Sequence, residues 1–189
     1  MAARKATGDR IEPRDWTTMT GALAPVPHPN QLTHIQFRRF AGCPVCNLHL
    51  RSFVSRHDDL VNAGVHEIVV FHSPADELLK HASLLPFDVI PDPTKRLYKE
   101  FGVESSAWAI LHPRAWWTIM RAVAVSLVHV LSGKQPLPSM NPDGGRNGLP
   151  ADLIVDGTGR ILEVHYGKHA GDQLSVDDVL ALAQRTAHQ

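Results

Sequence analysis

Cys43-Pro44-Val45-Cys46 contains both cysteines of this 189-residue chain. It lies where a strand-like run, Leu32 to Arg39, gives way to a helix-like one. A C-x-x-C at such a junction presents its first sulfur at a helix N-terminus, where unpaired backbone N–H groups and the macrodipole favour thiolate over thiol. Cys43 is therefore the expected attacking thiol, and Cys46, one turn further in, the expected resolving thiol. Arg38 and Arg39 end the strand and add positive potential beside the sulfurs. Pro44 has a φ preset for the first helical position and no N–H to leave unpaired.

Two other readings of the pair carry less. Buried, inert cysteines do not explain a Gly-Cys-Pro-x-Cys placed at a strand end. A zinc site could draw on Cys43, Cys46 and His49, but no second C-x-x-C or H-x-x-x-H supplies the fourth ligand of a structural site. His49, His57, His66 and His72 read as ordinary polar or partly buried histidines, and Asp152 as a solvent-facing carboxylate.

The elements that must hold the dithiol alternate as β-α-β-α. After it a helix runs to about Asn62, stopped by Gly64, and His66 to Phe71 is a buried strand. Ser73-Pro74 carries N-cap and first-turn chemistry for a helix reaching about Ser83. Asp88-Val89-Ile90 is a short strand, and Lys95 to Phe101 a helix closed by Gly102. Ala151 to Val155 and Ile161 to Tyr166 form a hairpin about Asp156-Gly157-Thr158-Gly159, and Ser175 caps a last amphipathic helix. Residues 1–30, rich in proline, read as an extended lead-in, and 31–189 as one domain. Within it, 108–148 stands out as an insertion. Its apolar stretch at 114–132 is interrupted by Arg121 and His129, which argues against a membrane span. The expectation is a helix burying Trp116, Ile119, Val123 and Leu127 against the domain or a second copy of the chain in a homodimer, with a platform built on Trp116 and Trp117 as the other reading.

Composition narrows the partners. The chain is 43% hydrophobic and 20% charged, with nineteen basic residues balancing nineteen acidic ones. Neither nucleic acid nor an anionic membrane is expected to bind a chain of zero formal charge. The charged N-terminus has no apolar signal-like run, so the expected location is cytoplasmic.

Four segments in order carry a resemblance: Phe37-Arg38-Arg39-Phe40-Ala41-Gly42-Cys43-Pro44-Val45-Cys46, then Phe71-His72-Ser73-Pro74, then Asp92-Pro93 with Leu97-Tyr98-Lys99-Glu100-Phe101-Gly102-Val103, then Leu149-Pro150-Ala151-Asp152-Leu153-Ile154-Val155-Asp156. Together they resemble the peroxiredoxin-like branch of the thioredoxin superfamily, of the alkyl hydroperoxide reductase and thiol-specific antioxidant type. The resemblance spans about residues 30–185, apart from 108–148. It implies an α/β thioredoxin-like fold, a central mixed β-sheet flanked by helices, and thiol-based redox chemistry without a cofactor.

The departures from that family shape the expected activity. Laid on its Pro-x-x-x-Thr-x-x-Cys pattern, Arg39 replaces the proline, Cys43 the threonine, and Cys46 takes the peroxidatic position. Pro150 stands where the family carries an arginine and where thioredoxins carry a cis-proline. The resemblance thus implies a cis Leu149–Pro150 bond, with the Leu149 backbone docking substrate beside the sulfurs. Gly42 replaces the tryptophan of thioredoxins, and Phe37 their buried carboxylate. The expected function is a thiol-disulfide oxidoreductase with Cys43 as nucleophile and Cys46 resolving. One alternative is a thiol peroxidase with Cys46 peroxidatic and Cys43 resolving. Another is a non-enzymatic redox sensor or scaffold. The expected partners are a disulfide or hydroperoxide substrate and a thioredoxin-type or low-molecular-weight thiol donor.

Overall fold

The central strand, β3 (Leu32–Phe37), owes its place to a period-2 pattern in which both faces are buried. A computed structural model describes residues 3–103 and 148–187. The expected insertion, including the helix at 114–132, lies outside the described residues apart from Gly148. In chain order the elements are β1 (Arg14–Thr17), β2 (Leu23–Val26), β3, α1 (Pro44–Ser55), α2 (His57–Asn62), β4 (Val65–Phe71), α3 (Ala75–Ala82), β5 (Asp88–Pro91), α4 (Arg96–Glu100), β6 (Ala151–Val155), β7 (Ile161–Tyr166) and α5 (Val176–Ala187).

Five strands form a mixed sheet in the order β5-β4-β3-β6-β7. β3 pairs parallel with β4, as does β4 with β5, whereas β6 runs antiparallel to both β3 and β7. Parallel pairing needs crossovers, which α1, α2 and α3 supply. One face of the sheet packs Ile35, Phe37, Ile68, Val70 and Leu153 against Tyr98 and Phe101. On the other, Val69, Phe71 and Ile154 meet Leu50 and Phe53 of α1, Leu78 of α3 and Val179 of α5. This is the thioredoxin-like α/β fold.

Several local features follow from side-chain chemistry. At α5, Ser175 Oγ accepts the Asp178 N–H at 3.2 Å while Asp178 Oδ2 accepts the Ser175 N–H at 2.9 Å, a reciprocal capping box. In the β6–β7 turn, Asp156 Oδ1 accepts the N–H groups of Thr158 and Arg160 at 2.8 and 3.0 Å.

Two expectations change, and a third gains detail. The lead-in at 1–30 contains paired strands: β1 and β2 pair antiparallel, with Trp16 opposite Ala24. Trp16 lies edge-on to Phe101 at 5.9 Å, and Met19 donates its N–H to Val89 O at 2.8 Å, because that register points Trp16, Ala24 and Val26 into the core. The helix expected to Asn62 is two helices, since Arg56 leaves helical geometry at φ −122°, ψ 25°. Its guanidinium instead ties α2 to α5 through Asp59 and Asp177. Ser73 does not cap α3; Pro74 occupies the N-cap, and Ser73 Oγ accepts the Ala41 N–H at 2.9 Å beside the dithiol.

Candidate active site

The chain reaches the dithiol from the end of β3. Arg38 N–H still donates to Val70 O at 2.9 Å, and Arg39 O accepts the His72 N–H at 3.2 Å. The backbone then turns through Gly42 at φ +75°, a left-handed conformation that favours glycine. A Cβ there would also stand 3.1 Å from the His81 imidazole, so a side chain at this position is strained by conformation and crowded by that ring.

Cys43 is the N-cap of α1, with Pro44 following and the Asn47 N–H donated to Cys43 O at 2.9 Å. Both cysteines are free thiols, each 1% exposed. The thiol of Cys46 donates to the Cys43 sulfur. That bond, together with the Arg39 charge and the backbone N–H groups of Cys46 and Val45, outweighs burial and lowers the Cys43 pKa below the usual thiol range. Cys46 moves the opposite way. Its hydrogen bond to Cys43, its burial and the neighbouring Cys43 charge push it well above the usual thiol range, against the Arg39 charge and the Arg39 N–H directed at it. The geometry thus pairs a ready thiolate with a proton-bearing partner.

Arg39 is 5% exposed, and its guanidinium lies 5.5 Å from the Phe40 ring centroid. The segment before β6 passes close by: a Cβ on Gly148 would meet Arg39 Cγ and His72 Nε2 at 3.4 Å. Leu149 and Pro150 follow, and Pro150 O accepts the Gly167 N–H at 2.9 Å. Among the described residues Val26–Pro27 is the cis peptide bond, so Leu149–Pro150 is trans. Pro150 immediately precedes β6, where its missing N–H is tolerated and a trans chain continues into the ladder.

The sheet face under α1 carries a polar stripe. His34, Gln36 and Arg38 alternate along β3 and meet Glu67 from β4 and Asp152 from β6. Arg38 Nη2 donates to Asp152 Oδ1 and to Gln36 Oε1, each at 2.6 Å. His34 Nδ1 lies 2.9 Å from Glu67 Oε2, and its Nε2 lies 3.2 Å from Asp152 Oδ1. Gln36 Nε2 donates to Glu67. All five side chains are buried. Asp152, expected at the surface, is instead a buried carboxylate of this stripe. Burial opposes its charge, but Arg38 and His34 hold it below the usual carboxylate range. Burial likewise opposes charge on His34, yet Glu67 and Asp152 raise it to about 9.

His49 joins this network, with its Nε2 at 3.3 Å from Arg38 Nη2. Burial and the Arg38 charge lower its pKa to about 3, leaving a neutral acceptor between α1 and the sheet. That ring position does not suit the zinc reading. Among the described residues no group of three or more His, Cys, Asp or Glu side chains could hold a metal ion. Nor is any described helix long and apolar enough to cross a membrane.

Tyr98 is a second contributor the sequence reading missed. Its hydroxyl shares one proton between the backbone carbonyls of Arg38 and Val70. Burial, Asp92 and the nearby Cys46 keep the phenol protonated by raising its pKa well above the usual value. The alternation of β3 could have revealed the stripe, because polar residues at every second position of a central strand must share one buried face. Tyr98 had no such signal, since its partners are backbone atoms.

Comparison with known proteins fits this geometry. Residues 49–169 match the family model described as AhpC/TSA antioxidant enzyme. The match begins just after the dithiol. Among solved structures, the peroxidoxin BcpB from Mycobacterium tuberculosis is similar at a TM-score of 0.66 and 14% identity, over 95% of this chain and 96% of that one. PrxQ from Xylella fastidiosa superposes at a TM-score of 0.65 with 12% identity, over 99% of both chains. A putative thiol:disulfide interchange protein DsbE from Chlorobium tepidum gives 0.58 and 14%, over 94% of this chain and 98% of that one. No curated protein matched. At these identities the structural likeness concerns the fold.

Proposed function

The chain belongs to the AhpC/TSA antioxidant enzyme family, whose chemistry is thiol-dependent oxidation and reduction, and on that premise we propose that Cys43-Pro44-Val45-Cys46 works as a thiol-disulfide oxidoreductase dithiol. The observation that carries this reading is the placement of Cys43 at the N-cap of α1 with the Cys46 thiol donating to its sulfur, an arrangement that lowers the Cys43 pKa and raises that of Cys46. The Cys43 thiolate attacks one sulfur of a substrate disulfide, forming a mixed disulfide and expelling the other sulfur as thiolate. Cys46 then loses its proton and attacks the Cys43 sulfur, closing the Cys43–Cys46 disulfide and releasing the second substrate thiol. Two electrons have passed to the substrate. A thioredoxin-type or low-molecular-weight thiol donor restores the dithiol. Arg39 favours thiolate at both sulfurs and Pro44 starts the helix that presents them, whereas the trans Leu149–Pro150 bond takes away the cis-proline argument for substrate docking. A cytoplasmic setting suits a dithiol that must be kept reduced.

The family and the likeness to PrxQ favour a second reading, a thiol peroxidase. In that reading Cys46 is oxidised by a hydroperoxide to a sulfenic acid, which Cys43 resolves with loss of water. The raised Cys46 thiol counts against it, because the thiolate is the nucleophile. Reduction of insulin disulfides, measured beside peroxide consumption with and without thioredoxin, separates the readings. Insulin reduction and mixed disulfides trapped on Cys43 by Cys46→Ser are expected. Peroxide consumption that needs Cys46 but leaves insulin oxidised would establish the peroxidase instead, and a protein inactive in both assays would point to a scaffold.

A further inference from the structure

Two segments leave the sheet side by side to frame the dithiol. β3 continues as Arg38-Arg39-Phe40 toward Cys43, and β4 as His72-Ser73 toward α3. They are stitched together by the Arg38 N–H on Val70 O, the His72 N–H on Arg39 O and the Ala41 N–H on Ser73 Oγ. The Tyr98 hydroxyl enters beneath both and shares its one proton in a bifurcated bond between a carbonyl of each, Arg38 O and Val70 O.

Tyr98 is itself fixed on every side. Its ring lies edge-on to Phe37 at 5.1 Å and to His72 at 5.7 Å. Asp92 Oδ2 accepts its backbone N–H at 3.3 Å and that of Leu97 at 2.8 Å, while Oδ1 accepts that of Arg96 at 2.9 Å. The short α4 thus hangs from Asp92 and delivers one hydroxyl to the base of the site.

A peptide unit is planar, and in the trans form its C=O and N–H point in opposite directions. The Arg38 carbonyl and the Arg39 N–H belong to one such unit. A hydroxyl that holds the carbonyl on one side therefore aims the N–H on the other, and the Arg39 N–H is directed at Cys46. We propose that Tyr98 is the positioning residue of the resolving step, holding the Arg38–Arg39 peptide plane so that the Arg39 N–H meets the Cys46 sulfur as it becomes thiolate. This rests on Cys46 being the resolving thiol.

The groups about the sulfurs are Arg39 at the end of β3, His72 after β4, His81 of α3 against Gly42, and Tyr98 of α4. Arg38, His49, His34, Glu67 and Asp152 form the stripe below. Tyr98→Phe keeps the ring and its packing and deletes only the hydroxyl. The expected result is that breakdown of the mixed disulfide slows about tenfold, the scale of one hydrogen bond to a charged group, while Cys43 attack keeps its rate. In Cys43→Ser protein, Tyr98→Phe should raise the Cys46 pKa, a readout that needs no turnover and stands whichever substrate is used. Arg39→Pro, which removes the N–H, should reproduce both effects and abolish any further effect of Tyr98→Phe. Arg39→Met keeps the N–H and should leave the Tyr98→Phe effect intact. An unchanged Cys46 pKa, or equal slowing of both steps, overturns the proposal. Failure of Cys46→Ser to trap a mixed disulfide would instead remove the resolving role of Cys46 itself.

Discussion

The Arg38 guanidinium and the Asp152 carboxylate meet at 2.6 Å with neither side chain exposed to solvent. Buried ion pairs tolerate the loss of one partner badly, because the remaining charge has no water to turn to. Here the two partners are not equivalent. Asp152 serves Arg38, His34 and the Leu174 N–H, whereas Arg38→Met would leave Asp152 still paired with His34. Asp152→Asn should therefore cost the fold about 3–5 kcal/mol and Arg38→Met less, as read from urea unfolding of the two variants. The reverse order would show that Asp152 is not the hub of the stripe.

His34 links the stripe to pH. Its folded pKa of about 9 lies above the ordinary 6.5, so its charged pairing stabilises the native state fully below about pH 6.5 and is lost as the pH rises through 9. A shift of this size corresponds to about 3 kcal/mol. Wild-type protein minus His34→Gln should show a stability difference that shrinks between pH 6.5 and 9, since the thiol titrations are common to both and cancel. A flat difference across that window would mean that His34 is not charged in the folded protein.

Gly42 is constrained twice. Alanine there must adopt φ +75° and press on the His81 ring 3.1 Å away. The conformational part alone costs about 1–2 kcal/mol. Gly42→Ala should lower the thermal midpoint, and His81→Ala in the same chain should recover only the packing part. Full recovery would show that the backbone conformation carries no strain.

The sequence was legible where local chemistry decides. The C-x-x-C with Pro44 places α1 and the sulfurs, and the Ser175-x-x-Asp178 box starts α5 where the structure has it. The β6–β7 hairpin needs the Asp156 carboxylate, and Gly159, whose Cβ would lie 2.4 Å from Ile11 O. What escaped depends on contacts distant in sequence. Asp152 is buried because His34 and Arg38 along β3 and the Leu174 N–H converge on it, and nothing within its own strand says which face is covered. Trp16 enters the core only because β1 and β2 pair beside β5. Ser73 has the chemistry of an N-cap, yet the Ala41 N–H, thirty-two residues away, claims its hydroxyl. The trans bond before Pro150 belongs to the same class, set by how β6 joins the sheet and not by the proline itself.

The Cys43 thiolate gives the sharpest pH signature. With its pKa lowered by the Cys46 hydrogen bond, Cys43 should ionise below the usual thiol range, so its alkylation by iodoacetamide should rise and level off at a lower pH than that of a free thiol. The largest contribution to that position is the hydrogen bond from the Cys46 thiol, with Arg39 adding a further downward pull. Cys46→Ala removes the donor and should carry the midpoint upward toward the free-thiol value of about 8.5. Arg39→Met should move it in the same direction by less. Mass spectrometry of the labelled peptide identifies the reacting sulfur at each pH. Labelling of Cys46 ahead of Cys43 would reverse the assignment of the two thiols, and a midpoint unmoved in Cys46→Ala would transfer the effect from the sulfur pair to the helix N-terminus, whose N–H groups that substitution leaves in place.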